Sequence, residues 1–204
     1  MSEVDNGVNV AHLLGAREAI DETPPLGQFE FRATSEWKHG THSQSKVEKY
    51  FGFGEEQSHN KTYNYDLDHP ELFAAEDNGA TPVEFVLVGL AGCLTAGVAA
   101  VAQHRQIKLN SVTATLTADL DARGMLGMDA EIRNGFSGVK VTYKVDADAD
   151  REDIEALVVI YLVLPFGWSG SPGHFGTFAL AAEVSTQAHG PEETRLNGSE
   201  GFWC

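Results

Sequence analysis

Cysteine is almost missing from this chain: 204 residues contain two, Cys93 and Cys204. That scarcity excludes a disulfide scaffold and any four-thiolate zinc site. Cations are scarce as well, 14 Lys and Arg against 30 Asp and Glu, for a formal charge of −16. A surface that acidic repels phosphate backbones and anionic lipid, so neither nucleic acid nor a membrane surface is an expected partner. No phosphate loop is present, since Gly52-Phe53-Gly54 lacks the Gly-Lys-Ser/Thr that should follow. No Gly-x-Ser-x-Gly elbow occurs, so serine hydrolase chemistry has no support. The first ten residues, MSEVDNGVNV, are polar and acidic, unlike a signal peptide. No uncharged apolar run is expected to reach the ~18–20 residues that span a bilayer. The longest such stretch, 83–103, contains Glu84, Cys93 and several glycines and reads as a buried core helix. The expectation is a cytoplasmic protein with reduced thiols and no metal or other cofactor.

What is present is globular. Hydrophobic residues make up 42% and charged residues 22%, and the length suits one domain with a sizeable core. Residues 6–20 carry apolar positions suited to a short helix, and 22–27, with Pro24 and Pro25, form a linker. Residues 29–37 alternate, with Phe29, Phe31 and Ala33 on one face, as in a half-buried strand. A turn at 38–42 makes 29–37 and 43–50 a hairpin, and 62–67 is a further strand candidate. After a polar loop over 68–79, Thr81-Pro82-Val83-Glu84 opens a helix. Thr81 suits the N-cap, Pro82 the first turn, and Glu84 completes a capping box.

That helix should run to about Gln106. Its body, FVLVGLAGCLTAGVAAVA, is apolar on every side, which predicts burial on every side, and its glycines leave room for another element. A second copy of the chain is the expected cover, in a two-fold homodimer. Residues 111–120 and 136–146 alternate as strands, the second with Val139, Val141, Tyr143 and Val145 on one face. Residues 149–153 open another helix with Ile154, Leu157 and Val158 inward. Strands and helices in this order predict an α+β fold with an antiparallel sheet. The pattern breaks near Val159, and Pro165 ends any helix. The remainder is rich in Gly and Ser, holds no convincing strand after Val184, and is expected to be loosely packed from about 165 onward.

Cys93 is the leading chemical candidate. A cysteine midway along a buried helix often merely fills space. A reactive role needs the thiolate, and the helix dipole gives little help twelve residues from Thr81. The histidines His39, His42, His59 and His69 sit in or near loops; three or four could bind a metal if gathered, but loop histidines are usually solvated.

The stretch EDNGATPVEFVLVGLAGCLTAGVAAVAQHRQIKL resembles the central helix of the OsmC/Ohr family, the osmotically inducible and organic hydroperoxide resistance proteins. The Pro at the helix start, the Glu soon after, the Ala-Gly-Cys-Leu and the basic end carry the resemblance. VTATLTADLDARGMLG and GVKVTYKVDADADREDIEALV extend it over about residues 28–158. The resemblance implies an intertwined homodimer, with sheets wrapped around two long central helices. It also implies that Cys93 is a peroxidatic thiol, which reduces an organic hydroperoxide through a sulfenic acid and is restored by a thiol reductant. Three departures stand against that role. Val83 occupies the position of the Glu that orients an activating Arg in the peroxidase branches, and Glu84 follows one residue later. The only arginines ahead of the helix are Arg17 and Arg32, and neither lies in a matching motif. No cysteine follows Asp150 on the next helix, where the resolving thiol would stand, and Cys204 reads as an incidental surface thiol.

Three segments result: an N-terminal extension with a short helix, 1–27; an OsmC-like domain, 28–158; and a divergent, partly ordered tail, 159–204, arising either as a true variant C-terminus or from an altered gene end. The expected function is thiol-dependent, peroxiredoxin-type reduction of organic hydroperoxides through Cys93, with Glu84 as a possible supporting residue. The alternative is a non-catalytic dimer of the same fold that binds a small apolar molecule.

Overall fold

A computed structural model describes residues 4–163 and 180–188, with side chains described over residues 4–158. The chain divides into two compact units, one of residues 9–88 and one of residues 1–8 with 89–204.

The first unit begins with helix α1, Val10–Glu22, whose N-cap Asn9 accepts a hydrogen bond from the His12 amide. It therefore starts four residues later than the apolar pattern suggested, because Asn9 supplies the first side-chain cap. An antiparallel sheet follows. Strands β1 (Glu30–Phe31), β2 (Thr34–His39) and β4 (Glu55–Leu67) all pair with β3 (His42–Gly52). The β3–β4 turn is two residues long, and Phe53 and Gly54 take φ of 54° and 81°. Two successive positive φ values match the twist of a tight hairpin and favour glycine at one of them.

Pairing along β3 carries β4 well beyond the expected 62–67 and includes His59 in a strand rather than a loop. The half-buried face expected for 29–37 is not found. Every residue of β2 is exposed, and Phe31 is 74% exposed. The aromatics instead pack on one another, Phe29 on Phe31 at 5.9 Å, Phe29 on Phe53 at 5.8 Å and Phe31 on Tyr50 at 5.5 Å. Period-two alternation assigns a face but not what covers it.

Helix α2, Pro82–His104, starts where the capping signature places it. The Thr81 hydroxyl accepts from the Glu84 amide at 3.2 Å, and the Glu84 carboxylate accepts from the Thr81 amide at 2.9 Å and from its hydroxyl at 2.8 Å. At the far end Gln106 adopts φ of 57°. Its amide bonds to the Gln103 carbonyl, and the Ile107 amide reaches back to Ala102. This paired closure through a left-handed residue satisfies carbonyls that the helix itself leaves open.

The second unit is built on strands β5 (Leu109–Leu120) and β6 (Phe136–Ala147), antiparallel, with the short helix α3 (Ala122–Met125) between them. Alternate β6 residues from Val139 to Ala147 are buried, as the period of two predicts. Helix α4, Arg151–Val163, follows. The Asp150 carboxylate caps it by accepting from the Asp153 amide at 2.9 Å. Its Ile154, Leu157 and Val158 are wholly buried, as are Val98 and Ala102 of α2. Each such side chain contributes roughly 1.5–3 kcal/mol by leaving water. The N-terminal residues join this unit through amide clamps: Asn6 bonds to the Ile107 carbonyl and the Leu109 amide, and the buried Gln103 side chain bridges Val4 and Asn6.

Three expectations need correction. Strand β7, Leu180–Ala188, lies parallel to β6 and runs past Val184. The β6 edge supplies its backbone partners, which a weakly alternating sequence does not reveal, and it makes this sheet mixed. The rest of the region expected to be loosely packed, 165–179 and 189–204 with Cys204, lies outside the described residues. Helix α2 is also less covered than its apolar body suggests. Within one chain only a stripe through Leu94, Gly97, Val98, Ala102 and Gln103 is buried, while Val86 and Val88 are 61% and 59% exposed. Finally, α2 is long and apolar enough, by length and composition, to cross a membrane. Glu84 falls in its first turn and leaves the apolar body uninterrupted.

Candidate functional site

Cys93 lies half-buried near the middle of α2. It stands one residue before Leu94 and four before Gly97, so it flanks the buried stripe of the helix rather than occupying its centre. A thiol at that border touches the apolar core on one side and is reachable on the other.

The core contributes one polar group near it. Tyr143 is on β6, opposite Ala114 of β5 in the register, and the small alanine leaves room for the ring. The whole side chain is 0% exposed, yet its hydroxyl has no hydrogen-bond partner among the described residues. Burial first, and then the charge of Cys93, push the phenol from 10.0 up to about 12. The two groups are therefore within electrostatic reach of each other, and at neutral pH the phenol is a hydrogen-bond donor rather than a base.

Glu84 is engaged elsewhere. Its carboxylate is held below the ordinary carboxylate range by the Thr81 amide and hydroxyl. Nine residues of helix separate it from Cys93, a rise of roughly 13 Å. Arg32 is engaged too, with Glu30 at 2.5 Å and in a two-pronged pair with Glu56 at 2.7 and 2.9 Å. Those two carboxylates raise its pKa above the ordinary arginine value. Arg17 is exposed on α1. The histidines are dispersed. His42 pairs with Asp66 at 2.9 Å, His39 is 3.9 Å from Glu76, His59 contacts the rings of Tyr50 and Tyr63, and His69 contacts Phe73. Among the described residues, no group of three potential metal ligands comes together.

Two residues carry more weight than the sequence reading gave them. Tyr143 was legible as an inward position, and a tyrosine there brings a polar tip that needs a partner. Asp68 was read only as the start of a loop. It is 1% exposed and accepts from the Thr41 hydroxyl at 2.6 Å, the His69 amide at 2.8 Å and the Asn78 amide and side chain at 3.1 and 2.9 Å. These donors, Thr41 foremost, hold its carboxyl far below the ordinary range, and they tie the ends of the 68–79 loop together. That closure is tight: a Cβ on Gly79 would stand 2.1 Å from the Asp66 carbonyl oxygen.

A long glycine-rich helix carrying one thiol, with antiparallel sheets on either side of it in the chain, defines an α+β fold of the OsmC/Ohr type. Residues 75–161 match the family described as OsmC-like protein. Among solved structures, an OsmC-like protein from Mycoplasma pneumoniae aligns with a TM-score of 0.55 at 14% identity, covering 78% of this chain and 96% of its own. An OsmC-like protein of unknown function from Vibrio cholerae aligns with a TM-score of 0.52 at 11% identity, covering 78% and 98%. A hypothetical protein from Aquifex aeolicus gives 0.52 at 9% identity, with the same coverage of 78% and 98%. At these identities the likeness is one of fold. No curated protein matches the chain.

Proposed function

We propose that this chain reduces organic hydroperoxides with the thiol of Cys93, as a cytoplasmic homodimer. The observation that carries the reading is the position of Cys93: half-buried, at the border of an apolar core, inside the segment that matches the family. An apolar wall suits the organic half of a hydroperoxide, and a thiolate is the nucleophile that cleaves its O–O bond. The sulfur attacks the distal oxygen, an S–O bond forms, and the alkoxide leaves and takes up a proton as the alcohol. The sulfur loses the two electrons that the peroxide gains. A thiol reductant then returns the sulfenic acid to thiol with release of water. Helix α4 carries no cysteine, so no resolving thiol stands on it. A cycle of this kind suits a reducing compartment.

The dimer rests on a separate observation. Val86 and Val88 are exposed on α2, and nothing lies within 4 Å of a Cβ built at Gly89 or Gly92. A second copy of this helix would fit that smooth, apolar side. Sedimentation should give a particle of twice 22.0 kDa at micromolar concentration; a stable monomer would contradict the dimer.

A second reading has its own observation. With the Glu84 carboxylate spent on the helix cap and Arg32 held by Glu30 and Glu56, neither assists the thiol in the way the peroxidase branches use such a pair. That favours a dimer of the same fold that binds a small apolar molecule without turnover. Stopped-flow consumption of cumene hydroperoxide by wild type and Cys93→Ser separates the two. Fast consumption by wild type alone supports the peroxidase, and equal slow consumption by both supports the binding protein.

A further inference from the structure

We propose that Asn134 is a site of spontaneous covalent modification, where the side-chain amide is lost to attack by the Gly135 backbone nitrogen and replaced by a carboxylate. The inference is independent of Cys93 and its chemistry.

An Asn-Gly pair offers this reaction the least steric resistance, because glycine puts no Cβ beside the attacking nitrogen. The sequence holds four such pairs, at 6–7, 78–79, 134–135 and 197–198, the last outside the described residues. Attack requires the asparagine side chain to turn onto the nitrogen of the next residue. Two of the pairs are held back from that. The Asn6 side chain donates to the Ile107 carbonyl at 2.8 Å and accepts from the Leu109 amide at 3.0 Å, while the Gly7 amide donates to Asp5 at 2.8 Å. The Asn78 side chain donates to Asp68 at 2.9 Å and to Glu76 at 3.2 Å. Gly79 is pressed so closely on β4 that a Cβ there would stand 2.1 Å from the Asp66 carbonyl oxygen. Asn134 has neither restraint. It is exposed, lies between α3 and β6 outside any helix or strand, and no hydrogen bond holds its side chain among the described residues. Gly135 has a φ of 135°, and beyond its chain neighbours the space around a Cβ built there is open, with only the Arg133 Nε at 4.0 Å.

In the reaction, the Gly135 nitrogen bonds to the side-chain carbonyl carbon of Asn134. The C–N bond of the side-chain amide breaks, and ammonia leaves with the proton that Gly135 gives up. Water, the only co-reactant, then opens the cyclic imide to an aspartyl or an isoaspartyl residue. Arg133 and Gly135 line a cleft of about 420 Å³ together with Asp119, Asp121 and Ser137. The product therefore puts a new negative charge between two residues of that wall, and its isoaspartyl form adds a backbone methylene just before β6.

Mass-spectrometric peptide mapping tests this on protein incubated at neutral pH and physiological temperature, then digested in mild acid, where the reaction is slow. The rate at each Asn-Gly pair in the folded protein is divided by its rate in the same protein unfolded in urea, which removes the effect of local sequence. For Asn134 the ratio should lie within about threefold of one, since no local opening is needed. Asn6 and Asn78 must break two hydrogen bonds to react, and their ratios should fall by at least about tenfold. A ratio for Asn134 as low as those of Asn6 and Asn78 would overturn the proposal, and so would ratios near one at all three.

Discussion

Replacing Tyr143 by phenylalanine should make the protein more stable. The substitution removes one oxygen atom and keeps the ring, so the packing against the β6 neighbours and opposite Ala114 is preserved. The hydroxyl that disappears is fully buried and unpartnered among the described residues. Leaving such a group unsatisfied costs about 1–3 kcal/mol relative to hydrating it in the unfolded chain. Tyr143→Phe should therefore raise the unfolding free energy by an amount in that range, less whatever a small vacancy takes back. Urea unfolding with linear extrapolation measures it, and the slope should not change, since the same surface is exposed. Tyr63→Phe, on a half-exposed strand residue, is the control and should fall within about 0.5 kcal/mol of wild type. The alkaline limb gives a second readout. The phenol titrates near 10.0 when unfolded and at about 12 when folded, so above pH 10 the unfolded chain releases a proton that the folded one retains. Stability is full below that value and is lost as pH rises from 10 towards 12, by up to about 3 kcal/mol at roughly 1.4 per pH unit. Tyr143→Phe should lack this loss. A variant destabilised by more than about 1 kcal/mol at neutral pH would refute the reasoning, because it would mean that the hydroxyl has a partner in the folded chain.

The remaining predictions concern the caps and the loop lock. Thr81→Ala removes the hydroxyl's half of the capping box at the start of α2, its bonds with the Glu84 amide and carboxylate, and should destabilise by about 1 kcal/mol, measured by thermal or urea unfolding. Asp68→Asn should loosen the 68–79 loop, seen as earlier proteolytic cleavage there, since an amide cannot accept from all four donors that the carboxylate holds. Because those donors depress the Asp68 carboxyl, its contribution to stability is present above the ordinary carboxylate range and is lost as pH falls through and below about 4. The gap between wild type and Asp68→Asn should therefore narrow in acid; a gap that is constant with pH would contradict the assignment.

What could be read in the chain depended on how local its cause was. The start of α2 was legible because Thr81, Pro82 and Glu84 act on one another within a single turn. The end was less so, since Gln106 closes it in a conformation more often taken by glycine. Strands β5 and β6 declared themselves by alternation, and the inward triplet of α4 by its spacing. Strand β7 did not, because its pairing partner is a distant edge and its own pattern is faint. Burial was the least legible property. The aromatic face of β1 and the outer side of α2 look like core in the sequence but are open in one chain, as surfaces covered by another molecule would be. At the site, the family resemblance singled out Cys93. Tyr143 was visible only as one more inward residue, because the missing partner of its hydroxyl is a fact of three dimensions.

The central claim is that Cys93 acquires an oxygen from an organic hydroperoxide. Mass spectrometry of the protein treated with one equivalent of cumene hydroperoxide in the presence of dimedone tests it most directly. The account predicts a peroxide-dependent adduct on Cys93, formed within seconds and absent from Cys93→Ser. An unmodified Cys93 after complete mixing, in protein that alkylates normally with iodoacetamide, would contradict it.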